Sequence, residues 1–226
     1  MHIRQLFDPD TSTYSYLLWD RESREAAIVD PVKAQVARDA ELIGQLGLAL
    51  RYSLETHIHA DHVSGGGLLR DRFGCRIGIH ENSRASCADW LLREGDRIPL
   101  GDQRLRVLHT PGHTDTDVCY LAGDFILTGD TLLIRGSGRT DFQSGDPGLA
   151  YDSITRKILT LPDETRVYPG HDYHGFTQST VGEERAFNPR LHDRAREAYI
   201  HTMQSMQLPK PRLIDRAVPG NLGCGL

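Results

Sequence analysis

The sequence predicts a mixed α/β fold of the α+β kind, in which sheets present polar loops along one edge. Three observations point to it. Short runs of branched and aromatic residues alternate twice with helical spacing before residue 80, and later runs pair as hairpins around Gly-Asp turns. Four strand ends also finish in histidine or aspartate, at His57, His113, Asp130 and His171.

The elements follow in chain order. Residues 14–19 and 25–30 read as two strands joined by a charged turn, which makes a hairpin. Val32, Val36, Ala40 and Ile43 then share one helical face, and Gly47 suits a left-handed helix end. Residues 48–55 return as a strand that delivers a His-rich stretch. Gly65, Gly66 and Gly67 precede a helical run over 68–73; no G-K-[ST] follows, so a close-packing role is favoured over a phosphate cradle. Residues 75–80 form the next strand.

Residues 97–100 and 103–108 frame the Gly101-Asp102 turn, and 118–121 and 125–127 frame Gly123-Asp124. Asp146 and Pro147 are helix-start residues, with Tyr151, Ile154, Ile158 and Leu161 at helical spacing behind them. A short strand over 166–168 ends in Pro169-Gly170-His171, repeating the Pro111-Gly112-His113 arrangement; a Pro-Gly turn presents each histidine from a rigid loop. Helices over 180–187 and 194–206 precede a proline-punctuated tail from Leu208 onward. No linker separates domains, so residues 1–226 read as one domain.

Composition excludes several classes. A net charge of -5 and 7% aromatic residues argue against a nucleic-acid partner, and no apolar run approaches the ~20 residues of a membrane span. The first residues carry an early acid and no long apolar core, so neither a secretory signal nor a transit peptide is expected. Cys75, Cys87, Cys119 and Cys224 lie far apart with no C-x-x-C pair; reduced, buried thiols in a cytosolic protein are the expectation.

The stretch from Thr56 to His62 places His57, His59, Asp61 and His62 within six positions. Imidazoles and carboxylates at this density supply N and O ligands for a cation of intermediate hardness. His113, Asp130 and His171 are weak signals singly, but all stand at strand ends, where loops carry chemistry and strands hold them still.

These residues carry a resemblance to the metallo-β-lactamase superfamily, whose H-x-H-x-D-H motif matches His57, His59, Asp61 and His62, and whose later single ligands match His113, Asp130 and His171. The resemblance implies a four-layer αββα sandwich with its metal where the two sheets meet at an edge. His2, His80, His109, His174, His192 and His201 match no ligand position and are expected at the surface or in hydrogen bonds. The ligand set alone leaves two chemistries open. One is a dinuclear zinc thioester hydrolase of the glyoxalase II kind, in which a bridging hydroxide attacks.

The other is suggested by the run from Thr131 to Gln143, by Asn188-Pro189-Arg190 and by the proline-rich tail, all similar to persulfide dioxygenases. The tail is also too short for the helical substrate domain of glyoxalase II. Ser137 departs from relatives that carry cysteine there. The resemblance implies one Fe(II) per chain on His57, His113 and Asp130, a facial triad with three positions left open. His59, Asp61, His62 and His171 would then surround a vestigial second metal position. It also implies glutathione persulfide and O2 as substrates, with sulfite and glutathione as products, in an enzyme that forms a homodimer; a cytoplasmic location is the expectation from the cysteines and the first residues. Arg139 is the candidate grip for a glutathione carboxylate, or else the partner of Asp141; His171 and Tyr173 are the candidate catalytic groups, with Tyr173 also placed to bind substrate.

Overall fold

The computed structural model describes residues 1–192 and 194–226. Its centre is two six-stranded sheets in which each strand lies beside its successor. The first holds β1 (His2–Asp8), β2 (Thr13–Trp19), β3 (Glu25–Val29), β4 (Ala49–Leu54), β5 (Arg76–His80) and β6 (Trp90–Leu92). The second holds β7 (Arg97–Leu100), β8 (Gln103–His109), β9 (Val118–Ala122), β10 (Phe125–Gly129), β11 (Arg166–Pro169) and β12 (Ser179–Thr180).

Strand alternation explains the layering. Tyr14, Tyr16 and Leu18 of β2 point between the sheets and meet Ile98, Leu105, Val107, Tyr120, Phe125 and Leu127. Leu17 and Trp19, with Ile28 and Leu50, point the other way, against α1 (Val36–Gln45) and α2 (Gly66–Phe73). Every residue of β2 is buried because both its faces are covered. On the far side, Leu108, Cys119, Ile126 and Val167 pack on α3 (Pro147–Ser153) and the π-helical turn Ile154–Ile158 that extends it. Each fully buried Leu, Ile or Phe contributes roughly 1.5–3 kcal/mol. The result is a four-layer αββα sandwich, the architecture that the sequence resemblance implies.

Local signals held where a cap or turn sets the backbone. The Asp146 carboxylate accepts from the Leu149 N–H at 2.9 Å, and the Thr180 hydroxyl accepts from the Glu183 N–H at 3.1 Å to start α4 (Val181–Phe187). α5 (Arg196–Ser205) lies inside the expected 194–206 span. Gly67 is packed closely, as expected, but against the C-terminal segment: a Cβ there would meet Leu226 and the Cys224 carbonyl within 2.7 Å.

Three features depart from the sequence reading. β1 was not foreseen, because its burial alternates poorly at a sheet edge. The proline-marked tail contains α6 (Ile214–Leu222), with Pro219 inside it. Cys87 and Cys224 are joined in a disulfide rather than reduced; 137 residues separate them, so only the fold brings them together. Cys75 and Cys119 are buried thiols as expected. Among the described residues no helix is long and apolar enough to cross a membrane.

Topology places the site. β8 and β10 both pair antiparallel with β9, and β11 is parallel to β10, so the C-terminal ends of β8, β10 and β11 share one edge. The loop leaving β4 joins that edge through the Val118 N–H, which donates to the Thr56 carbonyl at 2.8 Å.

Candidate metal centre

His57, His113 and Asp130 converge so that one ligand atom from each lies within 4.8 Å of the others. Each is fixed by its other polar atom. The Thr56 hydroxyl donates to Asp30 at 2.8 Å and so accepts from His57 Nδ1 at 3.0 Å, which turns the Nε2 lone pair of His57 away from its own loop. His113 Nδ1 donates to the Arg139 carbonyl at 2.7 Å, leaving its Nε2 at 3.7 Å from Asp130 Oδ2. Asp130 Oδ1 is taken by His171 Nδ1 at 2.7 Å. Burial, then the neighbouring His59 and His113 rings, hold the His57 pKa well below the ordinary imidazole value, so this ring is neutral.

Backbone geometry permits the approach. Gly129 has φ +49°, and a Cβ there would lie 2.6 Å from the Thr56 hydroxyl; one on Gly138 would lie 2.4 Å from the Asp130 carbonyl.

Among the other four residues of the motif set a second group converges by the same measure: one ligand atom from each of His59, Asp61 and His62 lies within 4.8 Å of the others. His59 Nε2 lies between Asp30 at 3.0 Å and Glu55 at 3.3 Å, and His62 Nδ1 meets Asp61 at 2.8 Å. His171 uses both nitrogens, on Asp130 and on Asp61 with Thr13, the latter two at 3.1 Å. Burial would push the His171 imidazolium down, but the Asp130 and Asp61 carboxylates outweigh it and hold its pKa well above the usual value. His59 is likewise raised, against its burial, by Asp30 and Glu55. His171 thus bridges Asp130 and Asp61. His59 Nδ1 and His62 Nε2 are buried and, among the described residues, have no hydrogen-bond partner.

The centre opens into a cavity of about 550 Å³, whose wall includes Asp61, His113, Asp130, Arg139, His171 and Tyr173. Of the two roles open to Arg139, the structure shows the ion pair: Nε and Nη2 meet Asp141 at 2.7 and 2.8 Å, while Nη1 and Nη2 reach the Pro209 and Leu208 carbonyls. Tyr173 is exposed and stacks on His171 with ring centroids 6.1 Å apart.

The sequence reading missed Asp30, Glu55, Thr13 and Asn221. Asp30, with φ +50°, accepts from the Thr56 N–H at 2.7 Å as well as from its hydroxyl, and Asn221 Nδ2 donates to the His59 and His62 carbonyls, each at 2.9 Å. An acid closing each of two adjacent strands, Val29-Asp30 and Leu54-Glu55, was the available signal; Asn221 gave none.

Two sheets sandwiched by helices, with histidines and aspartates gathered at their common edge, define a metalloenzyme class, and residues 8–171 match it: the chain belongs to the Metallo-beta-lactamase superfamily. Within it, the chain is 49% identical over 227 residues to the mitochondrial persulfide dioxygenase ETHE1 of Homo sapiens, covering 99% of this chain and 89% of that one. Its fold is similar to the crystal structure of ETHE1 from Myxococcus xanthus, with a TM-score of 0.98, 49% identity and 100% of both chains covered. TTHA1623, solved in a di-iron-bound form, is more distant, at a TM-score of 0.69 and 28% identity, covering 83% of this chain and 100% of that one.

Proposed function

We propose that this chain is a persulfide dioxygenase, one domain over residues 1–226, that converts glutathione persulfide, O2 and water to glutathione and sulfite. The proposed metal is one Fe(II) on His57, His113 and Asp130. The observation that carries this reading is the convergence of His57, His113 and Asp130 beside the cavity, with His171 tied by both nitrogens to Asp130 and Asp61. Two imidazoles and a carboxylate suit a divalent transition metal, which His57, His113 and Asp130 would hold. When bound, Fe(II) supplies the redox chemistry with O2 that zinc lacks.

The chain's own groups do the rest. Thr56 and the Arg139 carbonyl hold the two rings in one tautomer. His171 keeps a proton at Nδ1 against Asp130, and the Tyr173 hydroxyl is offered to the sulfur and oxygen species in the cavity. Arg139 fastens the segment carrying Leu208 and Pro209 as part of the wall. We also propose a homodimer, as the sequence resemblance implies, and a cytoplasmic location.

A second reading, a dinuclear zinc thioester hydrolase, is favoured by the unpartnered His59 Nδ1 and His62 Nε2, which a second cation would engage. One assay separates the two. Anaerobically purified protein should hold one iron per chain and form sulfite from glutathione persulfide with O2 uptake. Two zinc ions per chain with anaerobic cleavage of S-lactoylglutathione would overturn the dioxygenase reading.

A further inference from the structure

Resting on the dioxygenase reading, we propose that the Cys87–Cys224 disulfide is a latch set by the enzyme's own substrate: a persulfide closes it, glutathione opens it, and closure fixes the tail that walls the cavity. The pair is placed for exchange. Cys87 is half-buried in the loop between the turn Glu81–Ser83 and β6, whereas Cys224 is buried. A persulfide or thiol arriving from solvent therefore meets Cys87 first, and Cys224 resolves the adduct. In a reducing compartment, the location proposed above, such links are transient and redox-sensing. The other two cysteines are closed to this chemistry, because burial pushes the thiol up to about 11 at Cys75 and to about 12 at Cys119.

What the latch holds is thinly packed. In the tail from Leu208 to Leu226, α6 buries only Ala217 and Asn221, while Leu208, Leu213, Leu222 and Leu226 are exposed. The tail is tied near each end. Arg139 donates to the Leu208 and Pro209 carbonyls at its start, and at its finish the Cys224 carbonyl and the Asn221 side chain accept from the Gly67 and Ser64 N–H groups at 2.8 and 2.7 Å. Leu208, Pro209 and Pro211 line the cavity that also includes His113 and Asp130. A segment with so little buried apolar surface opens locally at small cost unless a covalent link holds it. A wall that is ordered only part of the time weakens apparent substrate affinity by that fraction, so closing the link strengthens binding without touching the metal ligands.

The closing step balances without an outside oxidant. The Cys87 thiolate attacks the glutathionyl sulfur of glutathione persulfide; a Cys87–glutathione disulfide forms, the persulfide S–S bond breaks and hydrosulfide leaves. The Cys224 thiolate then attacks Cys87 Sγ and expels glutathione thiolate. The two protein thiols are oxidised, the outer sulfur of the persulfide is reduced to hydrogen sulfide, and the two thiol protons end on sulfide and glutathione. Opening consumes two glutathione molecules, which leave as glutathione disulfide. Substrate thus favours the closed form, and accumulated product thiol the open one.

The test starts from the iron-loaded full chain, reduced with a phosphine, freed of it and kept without O2 so that turnover cannot begin. Added glutathione persulfide should release one hydrogen sulfide per chain and close the link, seen as the loss of two free thiols with no adduct in the intact mass; C224S should stop at the glutathione adduct on Cys87. Hydrogen exchange at the Ser64 and Gly67 amides should be faster in the reduced chain and slow on closure. With O2 admitted, C87S should show a KM for glutathione persulfide roughly 3- to 10-fold above that of the closed wild type, with kcat and iron content unchanged. Reduced wild type should show a lag that C87S lacks. Free thiols untouched by the persulfide, or equal KM and equal exchange in the open and closed forms, overturn the latch. Should C87S fail to fold, the lag and the exchange rates of wild type decide alone. Wild type that closes its link yet takes up no O2 would instead sink the dioxygenase reading.

Discussion

The polar cluster has two halves built from the same residue types, and they are held in opposite ways. His57 is buried chiefly among other imidazoles and stays neutral, with its outer nitrogen anchored to Thr56. His59 and His171 are buried against carboxylates, which raise their pKa values well above the ordinary imidazole value. A histidine is a ligand only with a lone pair to give. The difference therefore lies in where the carboxylates stand: Asp30 and Glu55 face His59, Asp130 and Asp61 face His171, and His57 meets other imidazoles.

The largest expected effect breaks the open half. D130A or H113A should lose iron, with affinity falling well beyond the roughly 10- to 100-fold typical of an outer hydrogen-bonding partner, and persulfide oxidation should go with it. H59A should keep most of its iron. Metal analysis of the three proteins after one gel-filtration step checks this, and equal loss in all three would mean that the halves act as one dinuclear centre.

Next in size is the disulfide, which bears on the closed half alone. Asn221, three residues before Cys224, holds the His59 and His62 carbonyls and accepts from the Ser64 N–H at 2.7 Å, while the Cys224 carbonyl accepts from the Gly67 N–H at 2.8 Å. Opening a link across 137 residues costs up to about 5 kcal/mol in the chain-entropy account. C87S should therefore unfold at much lower denaturant while retaining iron at 25 °C. Iron loss in parallel with stability would show that the tail supports both halves.

Much of this was legible beforehand, and the limit is physical. Motif residues are dense, and their turns are written in Pro-Gly and Thr-Gly pairs, so the seven candidate ligands could be read from one chain. Asp30 and Glu55 are single acids at strand ends, with nothing local to mark which imidazole they meet. α6 was hidden by Pro219, which breaks the pattern of a helix without preventing it at that position. Arg139 lay near the motif and drew the substrate role, but neighbours in space, Asp141 and the Leu208 and Pro209 carbonyls, fill its donors. Pairings across long separations depend on the fold and leave no mark in spacing.

Asp30 touches both halves and tests whether they can be separated. D30N keeps the shape but weakens the acceptor for the Thr56 hydroxyl that orients His57, and removes the charge facing His59. Metal affinity should drop roughly 10- to 100-fold, with the fold intact. An unchanged affinity would mean that the Thr56 hydroxyl holds His57 without help.

The smallest effect lies outside the site and checks the rule that neighbours decide an imidazole's charge. His80 is buried and stacks on His109 with ring centroids 3.9 Å apart; burial, and then that second ring, push its pKa down to about 4. Its unfolded value is near 6.5, so between those pH values the unfolded chain binds the extra proton and acid favours unfolding. This group's contribution is full above about pH 6.5 and is lost as pH falls toward 4, amounting to about 2 kcal/mol between pH 7 and pH 5. Urea midpoints at those two pH values should converge in H80Q relative to wild type. An undiminished difference would mean that His80 is charged in the folded protein, and that burial beside an imidazole does not suffice to keep a histidine neutral here.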